Sequence, residues 1–340
     1  MLYIKEALAF EDVLLSPKFS SIKSRSQINL GSAFNDRHDL KLPIISAPMD
    51  TVSESEMAIA MSKAGGMAVL HRYNTIEEQC GLISKSIEVD GCLVGAAVGV
   101  SGDYMERSME LFKAGCRLFC IDIAHGHHIL MMEALQSLRK TFGSEVTIVA
   151  GNVATLTAFD DLAKWGADAI RVGIGGGSIC STRIKTGHGV PTLQSIIDCS
   201  QSSTDAKLIA DGGIRTSGDI VKALGAGADF VMLGSLLAGT SESPGRVFRD
   251  GSGAMRKVYR GMASKEAQID WRGHTASVEG VTSSVPMKGP VGLILKDLER
   301  GIRSGFSYSG ARNLAEFQTY ATFVKQTTAG ATESSTHIVL

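Results

Sequence analysis

A glycine-rich run that ends in a cysteine and a threonine is the part of this sequence that most strongly suggests chemistry. The run reads GIGGGSICSTRIKTG over residues 173–187 and contains Ser178, Cys180 and Thr182. Glycines let the backbone turn sharply and bring N–H or C=O groups close to a ligand or an ion. A thiol on such a loop can act as a nucleophile. The alternative is a phosphate-binding loop in which the cysteine is incidental.

Two further glycine motifs predict a phosphate site. They read ADGGIRTSGD over residues 210–219 and LGSLLAGTSESPG over residues 233–245. Backbone N–H groups and small hydroxyls bind phosphate in such loops, and Ser178 and Ser235 could donate hydrogen bonds to its oxygens. Asp211 is an acceptor suited to a ribose diol, unless it caps a helix instead.

A third polar cluster, IDIAHGHH over residues 121–128, combines Asp122 with three histidines. The histidines could indicate a metal site, but no second group of ligands with matching spacing accompanies them. A polar wall for a second ligand, such as a nicotinamide ribose, is the simpler interpretation.

Eight apolar runs alternate with amphipathic segments and predict an α/β fold, the (β/α)8 or TIM barrel. Parallel strands that are buried on both faces are continuously apolar, and each of these runs is. Polar residues or glycines follow nearly every run (Asp50, His71, Asp122, Asn152, the GIGGGS glycines, Asp211 and Ser235), which places a site at the C-terminal ends of the strands. The predicted strands span residues 42–50, 66–72, 93–99, 118–126, 147–153, 169–175, 207–213 and 230–236.

The segments between and after these strands carry helix and loop signals. Amphipathic helices are predicted at 53–65, 104–115 and 155–168, with Ser53 or Ser55 as the cap of the first and a glycine after the last turn of several. Residues 240–300 show little periodicity and predict a functional flap. The polar tail at 327–340 predicts a flexible end unless a partner subunit orders it.

Composition excludes several classes of protein. The formal net charge of −1 gives no basic excess for nucleic acid or anionic lipid. No apolar run reaches the roughly 18 residues that span a bilayer, and a cytoplasmic location is expected. The six cysteines form no CxxC pair, so we expect five of them to be small buried apolar residues and Cys180 to be different.

The motifs taken together resemble a known family, the purine nucleotide oxidoreductases that comprise IMP dehydrogenase and GMP reductase. The resemblance covers almost the whole chain in order. It runs through FEDVLLSPKFSSIKSRS, APMDT, GNVAT, the cysteine loop, DGGIR, LGSLLAGT, YRGMAS, VEG, VPMKG and GIRSGFSY. The family loop usually reads GIGPGS, and here Gly176 stands in place of the proline. The resemblance implies a single barrel domain over residues 1–340, with a flap at about 262–285 after strand eight and no regulatory repeat domain.

The resemblance also implies a covalent reaction at C2 of a purine nucleoside monophosphate, GMP or IMP. It assigns catalysis to Cys180, Thr182 and Glu279. It assigns substrate binding to residues on four loops, namely Ser178, Asp211, Gly212, Gly213, Gly234, Ser235, Gly261, Met262, Ala263 and Gly280.

A cofactor, a cation and an assembly follow from the same resemblance. NADPH is expected against Ser24, Arg25, Arg72, Asp122, Ile123, Ala124, Ile174, Gly175, Ser304 and Ser307. A monovalent cation, K⁺ or Na⁺, is expected on the carbonyls of Gly175, Gly177 and Cys180 with Arg183 nearby. A homotetramer is expected, with no nucleic-acid or membrane partner.

The flap distinguishes the two branches of the family. The dehydrogenase branch uses an Arg-Tyr pair on the flap, but no tyrosine lies between Tyr259 and Tyr308, and Arg272 follows Trp271. The missing tyrosine, the short flap and the absence of inserted repeats after residue 79 favour the reductase branch. Thr182 and Glu279 occupy positions that the reductase needs, but many dehydrogenases share them. APMDTVSE and the TTAG tail favour a dehydrogenase without repeats. A nucleotide sensor that does not catalyse remains a third possibility, although it would need no nucleophile.

Overall fold

Eight parallel strands close into a barrel in the computed structural model, which describes residues 4–334. The barrel strands are β4 to β11, and they follow the chain in order around the barrel until β11 pairs with β4. The strands of the described residues are β1 (Val13–Leu15), β2 (Ser32–Asn35), β3 (His38–Leu40), β4 (Ile44–Ser46), β5 (Met67–Leu70), β6 (Val94–Val98), β7 (Leu118–Asp122), β8 (Thr147–Val153), β9 (Ala169–Val172), β10 (Lys207–Asp211), β11 (Phe230–Leu233), β12 (Val247–Arg249), β13 (Met255–Arg260), β14 (Thr282–Pro286) and β15 (Phe323–Lys325).

Of the α-helices in the described residues, eight lie between successive barrel strands and four follow the last barrel strand. They are α1 (Ser55–Lys63), α2 (Ile76–Ile87), α3 (Tyr104–Lys113), α4 (Ile129–Phe142), α5 (Leu156–Lys164), α6 (Thr182–Thr186), α7 (Thr192–Cys199), α8 (Ser217–Gly225), α9 (Lys265–Arg272), α10 (Val291–Tyr308), α11 (Leu314–Tyr320) and α12 (Thr328–Glu333). Two short 3₁₀ turns lie at Phe10–Asp12 and Arg25–Gln27. The predicted (β/α)8 barrel is therefore confirmed.

Both faces of the barrel strands are buried, which explains their continuous apolar sequence. In β5, Met67 and Val69 belong to the cluster inside the barrel, while Ala68 and Leu70 pack in the layer between strands and helices. All four are fully buried.

The hairpin of β2 and β3 closes the N-terminal end of the barrel. Phe34 stacks on Phe230 of β11, with ring centroids 4.2 Å apart and planes 13° from parallel. Leu40 joins the same interior cluster. With one end filled by apolar side chains, the site is left to the opposite end.

The long segment after β11 is more ordered than its sequence predicts. It contains an antiparallel sheet of β12, β13 and β14 and the helix α9, all inserted before α10. The helix α10 begins at Val291 and packs against α1 and α8, so it is the eighth helix of the barrel. The prediction that residues up to 300 lack periodic structure is wrong from Val291 onward.

Several predicted boundaries also differ from the structure. Seven of the eight predicted strands are longer than the observed ones, because glycine and polar loop residues follow the last paired residue. Neither Ser53 nor Ser55 caps α1: Glu54 holds the cap position without a side-chain bond, and Ser53 donates to the carbonyl of Ala47 at 2.6 Å. Glycines do follow α1, α3 and α5 as predicted, with positive φ at Gly65, Gly115 and Gly166.

The chain ends pair with each other outside the barrel. The strand β1 is antiparallel to β15, and α12 follows at Thr328–Glu333, within the tail predicted as flexible. Residues 335–340 of that tail lie outside the described residues, and its flexibility remains a prediction. Within 4–334, none of the helices is long and apolar enough to cross a membrane.

Candidate active site

A cavity of about 480 Å³ opens at the C-terminal ends of the barrel strands. Ligand pockets commonly have volumes of about 300 to 1,000 Å³. Every residue assigned above to catalysis or substrate binding lines this cavity: Cys180, Thr182, Glu279, Ser178, Asp211, Gly212, Gly213, Gly234, Ser235, Gly261, Met262, Ala263 and Gly280. The fold therefore brings together residues from four loops that are distant in sequence.

The cysteine loop leaves β9 through a glycine that no other residue could replace without movement. Gly173 has φ +144°, and a Cβ placed there would lie 1.9 Å from the carbonyl oxygen of Asp211. The loop passes directly over the end of β10. Cys180 is thereby held beside the loop that carries Asp211.

A chain of hydrogen bonds joins the three candidate catalytic side chains. The Cys180 thiol donates to Thr182 Oγ1 at 3.2 Å, and the Thr182 hydroxyl donates to Glu279 Oε2 at 2.8 Å. The other oxygen of Glu279 accepts from Ser277 Oγ at 3.0 Å. In this arrangement a proton can pass between the thiol and the carboxylate through one hydroxyl.

Backbone bonds fix the flap to the cysteine loop at the same point. Ser181 donates its N–H to the carbonyl of Glu279 at 2.8 Å, and Val281 donates to the carbonyl of Ile179 at 3.0 Å. These bonds form an antiparallel bridge between Cys180 and Gly280. Glu279 therefore reaches Thr182 because its own backbone is paired with the loop that carries the cysteine.

Buried charges surround Arg171 at the base of the cavity. Its guanidinium contacts the carboxylate of Asp122 and bonds to Asp211 at 2.9 Å, and Asn152 also donates to Asp211 at 2.8 Å. Burial disfavours the charge on Arg171, but the two carboxylates outweigh this effect and raise the pKa of the guanidinium. Arg171 was not identified from the sequence, where it interrupts an apolar strand. The signal was present, because a charged residue in a buried strand needs a counter-ion.

The alternative interpretation of Asp211 as a helix cap is wrong. The next helix, α8, is capped by Thr216, whose hydroxyl accepts from the N–H of Asp219. One oxygen of Asp211 is held by Arg171 and Asn152, and the residue lines the cavity. Its role as a ribose acceptor remains a prediction.

Tyr259 is a cavity residue that sequence reasoning overlooked. Its hydroxyl lies 3.5 Å from Ser178 Oγ, near Gly234, where a Cβ would approach it to 3.2 Å. Burial raises the pKa of Tyr259, so the phenol stays protonated and can donate to an anion beside Ser178. The residue opens the YRGMAS motif, which is the sequence signal that could have identified it.

Tyr73 forms the outer wall of the cavity and contacts the flap. Its ring stacks on Trp271 of α9, with centroids 5.9 Å apart, and the guanidinium carbons of Arg72 and Arg272 lie 5.6 and 6.0 Å from its centroid. Burial raises the pKa of the Tyr73 phenol, although the two arginines oppose this rise. The phenol is therefore protonated at neutral pH and is not a ready base.

Two polar residues at predicted strand ends serve the architecture instead of lining the cavity. Asp50 binds Arg260 at 2.6 Å, and Arg260 also binds Asp270 of α9 at 2.5 Å, so this pair ties the flap helix to the barrel. His71 lies 3.2 Å from Glu54 and is 4% exposed.

The residues assigned to the cofactor fall into two groups. Arg72, Asp122, Ile123, Ala124, Ile174 and Gly175 line the same cavity as Cys180. Ser24, Arg25, Ser304 and Ser307 do not line it. They lie where the N-terminal segment packs against α10, and Arg303 donates to the carbonyl of Arg25 at 3.4 Å. Within one described chain, the second group is therefore separate from the cavity.

The carbonyls assigned to a monovalent cation border the cavity or its loop, and the cation site stays a prediction. The carbonyl of Gly177 accepts from Cys180 N–H at 3.1 Å and retains a second lone pair, and Gly175, Gly177 and Cys180 all border the cavity. A guanidinium has donors only, so Arg183 could bind a cation only through its carbonyl, which accepts from Gly187 N–H at 3.1 Å and likewise retains a second lone pair.

The histidine cluster has ordinary structural partners. His127 lies 3.0 Å from Asp161, and His128 caps α4 by accepting from the N–H of Leu130. Among residues 4–334, no three His, Cys, Asp or Glu side chains are placed to hold a metal ion.

The remaining cysteines differ from Cys180 in their surroundings, although not all as expected. Cys116, Cys120 and Cys199 are buried, and burial raises the pKa of their thiols to about 12, 11 and 12. Cys80 and Cys92 are only partly buried, so the expectation of five buried cysteines is wrong for these two. Their thiol pKa values are raised mainly by burial as well.

Comparison with known proteins gives one family. The family model described as "IMP dehydrogenase / GMP reductase domain" matches residues 7–337. An inosine-5'-monophosphate dehydrogenase of Nitrosopumilus maritimus is 36% identical, covering 99% of each chain. A GMP reductase of Leishmania major is 32% identical, covering 98% of this chain and 97% of its own, and GMP reductase 2 of Mus musculus is 39% identical, covering 94% of each.

A solved structure has the same fold over its full length. A GMP reductase of Trypanosoma brucei, a cysteine-to-alanine variant in complex with guanosine 5'-monophosphate, superposes with a TM-score of 0.94 at 32% identity and covers 99% of each chain. The alignments with the N. maritimus dehydrogenase and the L. major reductase run over 473 and 480 positions, more than the 340 residues here. Both branches therefore include proteins with a segment that this chain lacks, so the missing segment does not separate them.

Proposed function

The chain belongs to the IMP dehydrogenase/GMP reductase family, and on that premise we propose that it reduces GMP to IMP with release of ammonia. The observation that carries the proposal is the hydrogen-bonded series Cys180, Thr182, Glu279, at 3.2 and 2.8 Å. Release of ammonia requires that the leaving amine gain a proton, and the Thr182 hydroxyl in the middle of this series can supply one.

In the first step, Cys180 Sγ adds to C2 of the purine as a thiolate. The thiol proton passes to Thr182 Oγ1 as the Thr182 proton passes to Glu279. Glu279 then returns a proton to Thr182, and Thr182 passes its own proton to the departing amine. The C2–N bond breaks with its electron pair on nitrogen. The products of this step are ammonia and a bond between Sγ and C2.

The second step needs a reductant. The family resemblance implies NADPH as this reductant, which when bound would supply a hydride for C2. Cys180 would then leave C2 with the electron pair of the C–S bond. Arg72, Asp122 and Gly175, which line the cavity, would hold the cofactor. A solvent proton then restores the thiol, so that GMP, NADPH and one proton give IMP, ammonia and NADP⁺.

The nucleotide would be held by the glycine loops at the strand ends. The hydroxyls of Ser178, Ser235 and Tyr259 and the backbone of Gly213 and Gly234 suit the phosphate. Asp211 would accept from the ribose diol, and Met262 with Gly280 would contact the base. The T. brucei protein of the same fold is described in complex with guanosine 5'-monophosphate, which supports this class of ligand.

The further parts of the proposal follow the family resemblance. A K⁺ or Na⁺ ion would rest on the carbonyls of Gly175, Gly177 and Cys180. The enzyme would work as a homotetramer in the cytoplasm.

The second candidate function is oxidation of IMP to XMP with NAD. It is favoured by the 36% identity to the N. maritimus dehydrogenase. It requires a base that activates water against the Cys180 adduct. No tyrosine lies between Tyr259 and Tyr308, and Tyr73, whose ring lies near Arg272, has a pKa raised by burial. We therefore prefer the reductase.

Two incubations separate the candidates. GMP with NADPH should give IMP and ammonia over many turnovers. The reaction is monitored through the loss of the nicotinamide absorbance. IMP with NAD should at most form the adduct on Cys180, with little or no XMP detected by chromatography. Steady XMP production at many turnovers per site would show that the dehydrogenase assignment is right. A protein that binds GMP but consumes neither cofactor would instead be a nucleotide sensor.

A further inference from the structure

The loop that carries Cys180 and Thr182 is closed where its two ends meet. Ile174 follows β9, and Val190 precedes α7. These two residues form an isolated antiparallel bridge. Any group that strengthens this closure restricts the path of the loop and therefore the position of the thiol.

Arg183 bonds to both ends of the loop. Its Nε and Nη2 donate to the carbonyl of Ile174 at 3.2 and 3.1 Å, and its Nη2 also donates to the carbonyl of Val190 at 2.6 Å. The residue follows Thr182 directly, in the short helix α6. One guanidinium thus connects both ends of the loop to the backbone beside the catalytic threonine.

Two glycines leave room for this side chain. A Cβ at Gly175 would lie 2.5 Å from Arg183 Cγ and 2.9 Å from Nε, and a Cβ at Gly189 would lie 2.7 Å from the same two atoms. The arginine therefore runs between two backbone segments that lack side chains. A planar fork with several donors can satisfy two carbonyls at once, whereas a lysine ammonium acts as a single point of charge.

We propose that Arg183 is a positioning residue that closes the cysteine loop with its guanidinium and so holds Cys180 and Thr182 in register with Glu279. The guanidinium acts by fixing backbone geometry, and Arg183 does not line the cavity. The inference relies on the proposed function for the role of Cys180, but not for the choice between GMP reduction and IMP oxidation.

The test compares Arg183→Met, Arg183→Lys and Arg183→Ala with Lys185→Met. Methionine keeps an apolar stem without donors, lysine keeps the charge, and alanine leaves a space for free guanidinium ion. Lys185 lies two residues further on the same helix, is exposed, and makes no side-chain hydrogen bond among the described residues. Its replacement therefore controls for the loss of one positive charge and for a substitution within α6. Lys185→Met should leave turnover unchanged.

In Arg183→Met, kcat should fall about 100-fold, the effect of a displacement of about 1 Å at a reacting group. The KM for GMP should change far less, because all proposed phosphate and ribose contacts except Ser178 lie on other loops. The kcat of Arg183→Lys should lie between those of Arg183→Met and the wild type. Added guanidinium chloride, below denaturing concentration, should raise the kcat of Arg183→Ala but not of Arg183→Met, whose side chain occupies the space.

Amide hydrogen exchange gives a readout that needs no turnover. Exchange over residues 174–190 should accelerate in Arg183→Met by at least about tenfold, while the barrel strands keep wild-type protection. This result would stand even if the enzyme proved to oxidise IMP. An Arg183→Met variant with wild-type kcat and wild-type exchange in this loop overturns the proposal. So does a Lys185→Met variant that reproduces the losses, since the effect would then follow charge and not closure. If alanine prevents folding, the methionine and lysine variants still decide the question.

Discussion

Replacing Gly176 by alanine changes the one position where the cysteine loop departs from the usual GIGPGS pattern. An ideal Cβ at Gly176 would lie 2.4 Å from Thr192 Oγ1, where ordinary contact begins at 3.4 Å. Thr192 is 5% exposed, in the first turn of α7, so it has little room to withdraw. The loop or the threonine must therefore move by about the difference between these distances, roughly 1 Å, an order of displacement that can cost about 100-fold in rate.

Overpacking of this kind typically costs about 1 to 3 kcal/mol of stability. We expect Gly176→Ala to lower kcat toward the 100-fold limit and to lower the free energy of unfolding within that range. Gly176→Pro alone should also lower kcat and the free energy of unfolding, because proline carries a Cβ as well. The measurements are steady-state GMP reduction and denaturant unfolding.

The double variant Gly176→Ala with Thr192→Ala removes the clashing oxygen and should recover most of both losses. The free-energy change of the double variant, minus the sum of the changes of the two single variants, gives the coupling energy between the two positions. Gly81→Ala serves as the control, because a Cβ at that helical position meets nothing within 4 Å. The reasoning is refuted if Gly176→Ala alone has wild-type kcat, or if removing Thr192 Oγ1 restores neither activity nor stability.

Three further variants test the assigned roles. Cys180→Ala should abolish turnover while GMP still binds, and a residual rate above about a thousandth of wild type would exclude covalent catalysis. Glu279→Gln should slow ammonia release by about 10²- to 10⁴-fold with little change in binding of either ligand, and an unchanged kcat with rate-limiting chemistry would remove Glu279 from the proton path. Tyr73→Leu should weaken docking of α9 by about 0.5 to 1.5 kcal/mol. In a Trp165→Phe background it should shift the emission of Trp271, the remaining tryptophan, to longer wavelength. Tyr73→Phe keeps the ring and should behave as wild type, and identical emission in the Leu variant would mean that the stack does not hold the flap.

The sequence alone was sufficient to predict the barrel and the end that carries the site. Strands such as β5 are buried on both faces, so their apolar runs are continuous and easily found. Glycine loops at the ends of β9, β10 and β11 were visible for the same local reason, because a tight turn or close approach demands glycine at a fixed place. The family motifs then named Cys180, Thr182 and Glu279, and the fold places all three on one cavity.

Other features were decided only by tertiary structure. In the sequence, Arg171 interrupts an apolar strand without a visible partner. Its counter-ions, Asp122 at the end of β7 and Asp211 at the end of β10, become neighbours only in the folded barrel. Tyr73 and Trp271 are almost two hundred residues apart, and only the path of the flap stacks one on the other. Conversely, Ser24 and Ser304 resemble cofactor ligands in sequence but lie away from the cavity of their own chain. Local patterns encode burial and turn geometry, because these depend on a few adjacent residues. Contacts between distant loops depend on the closure of the barrel and the course of the flap, and no short stretch of sequence contains that information.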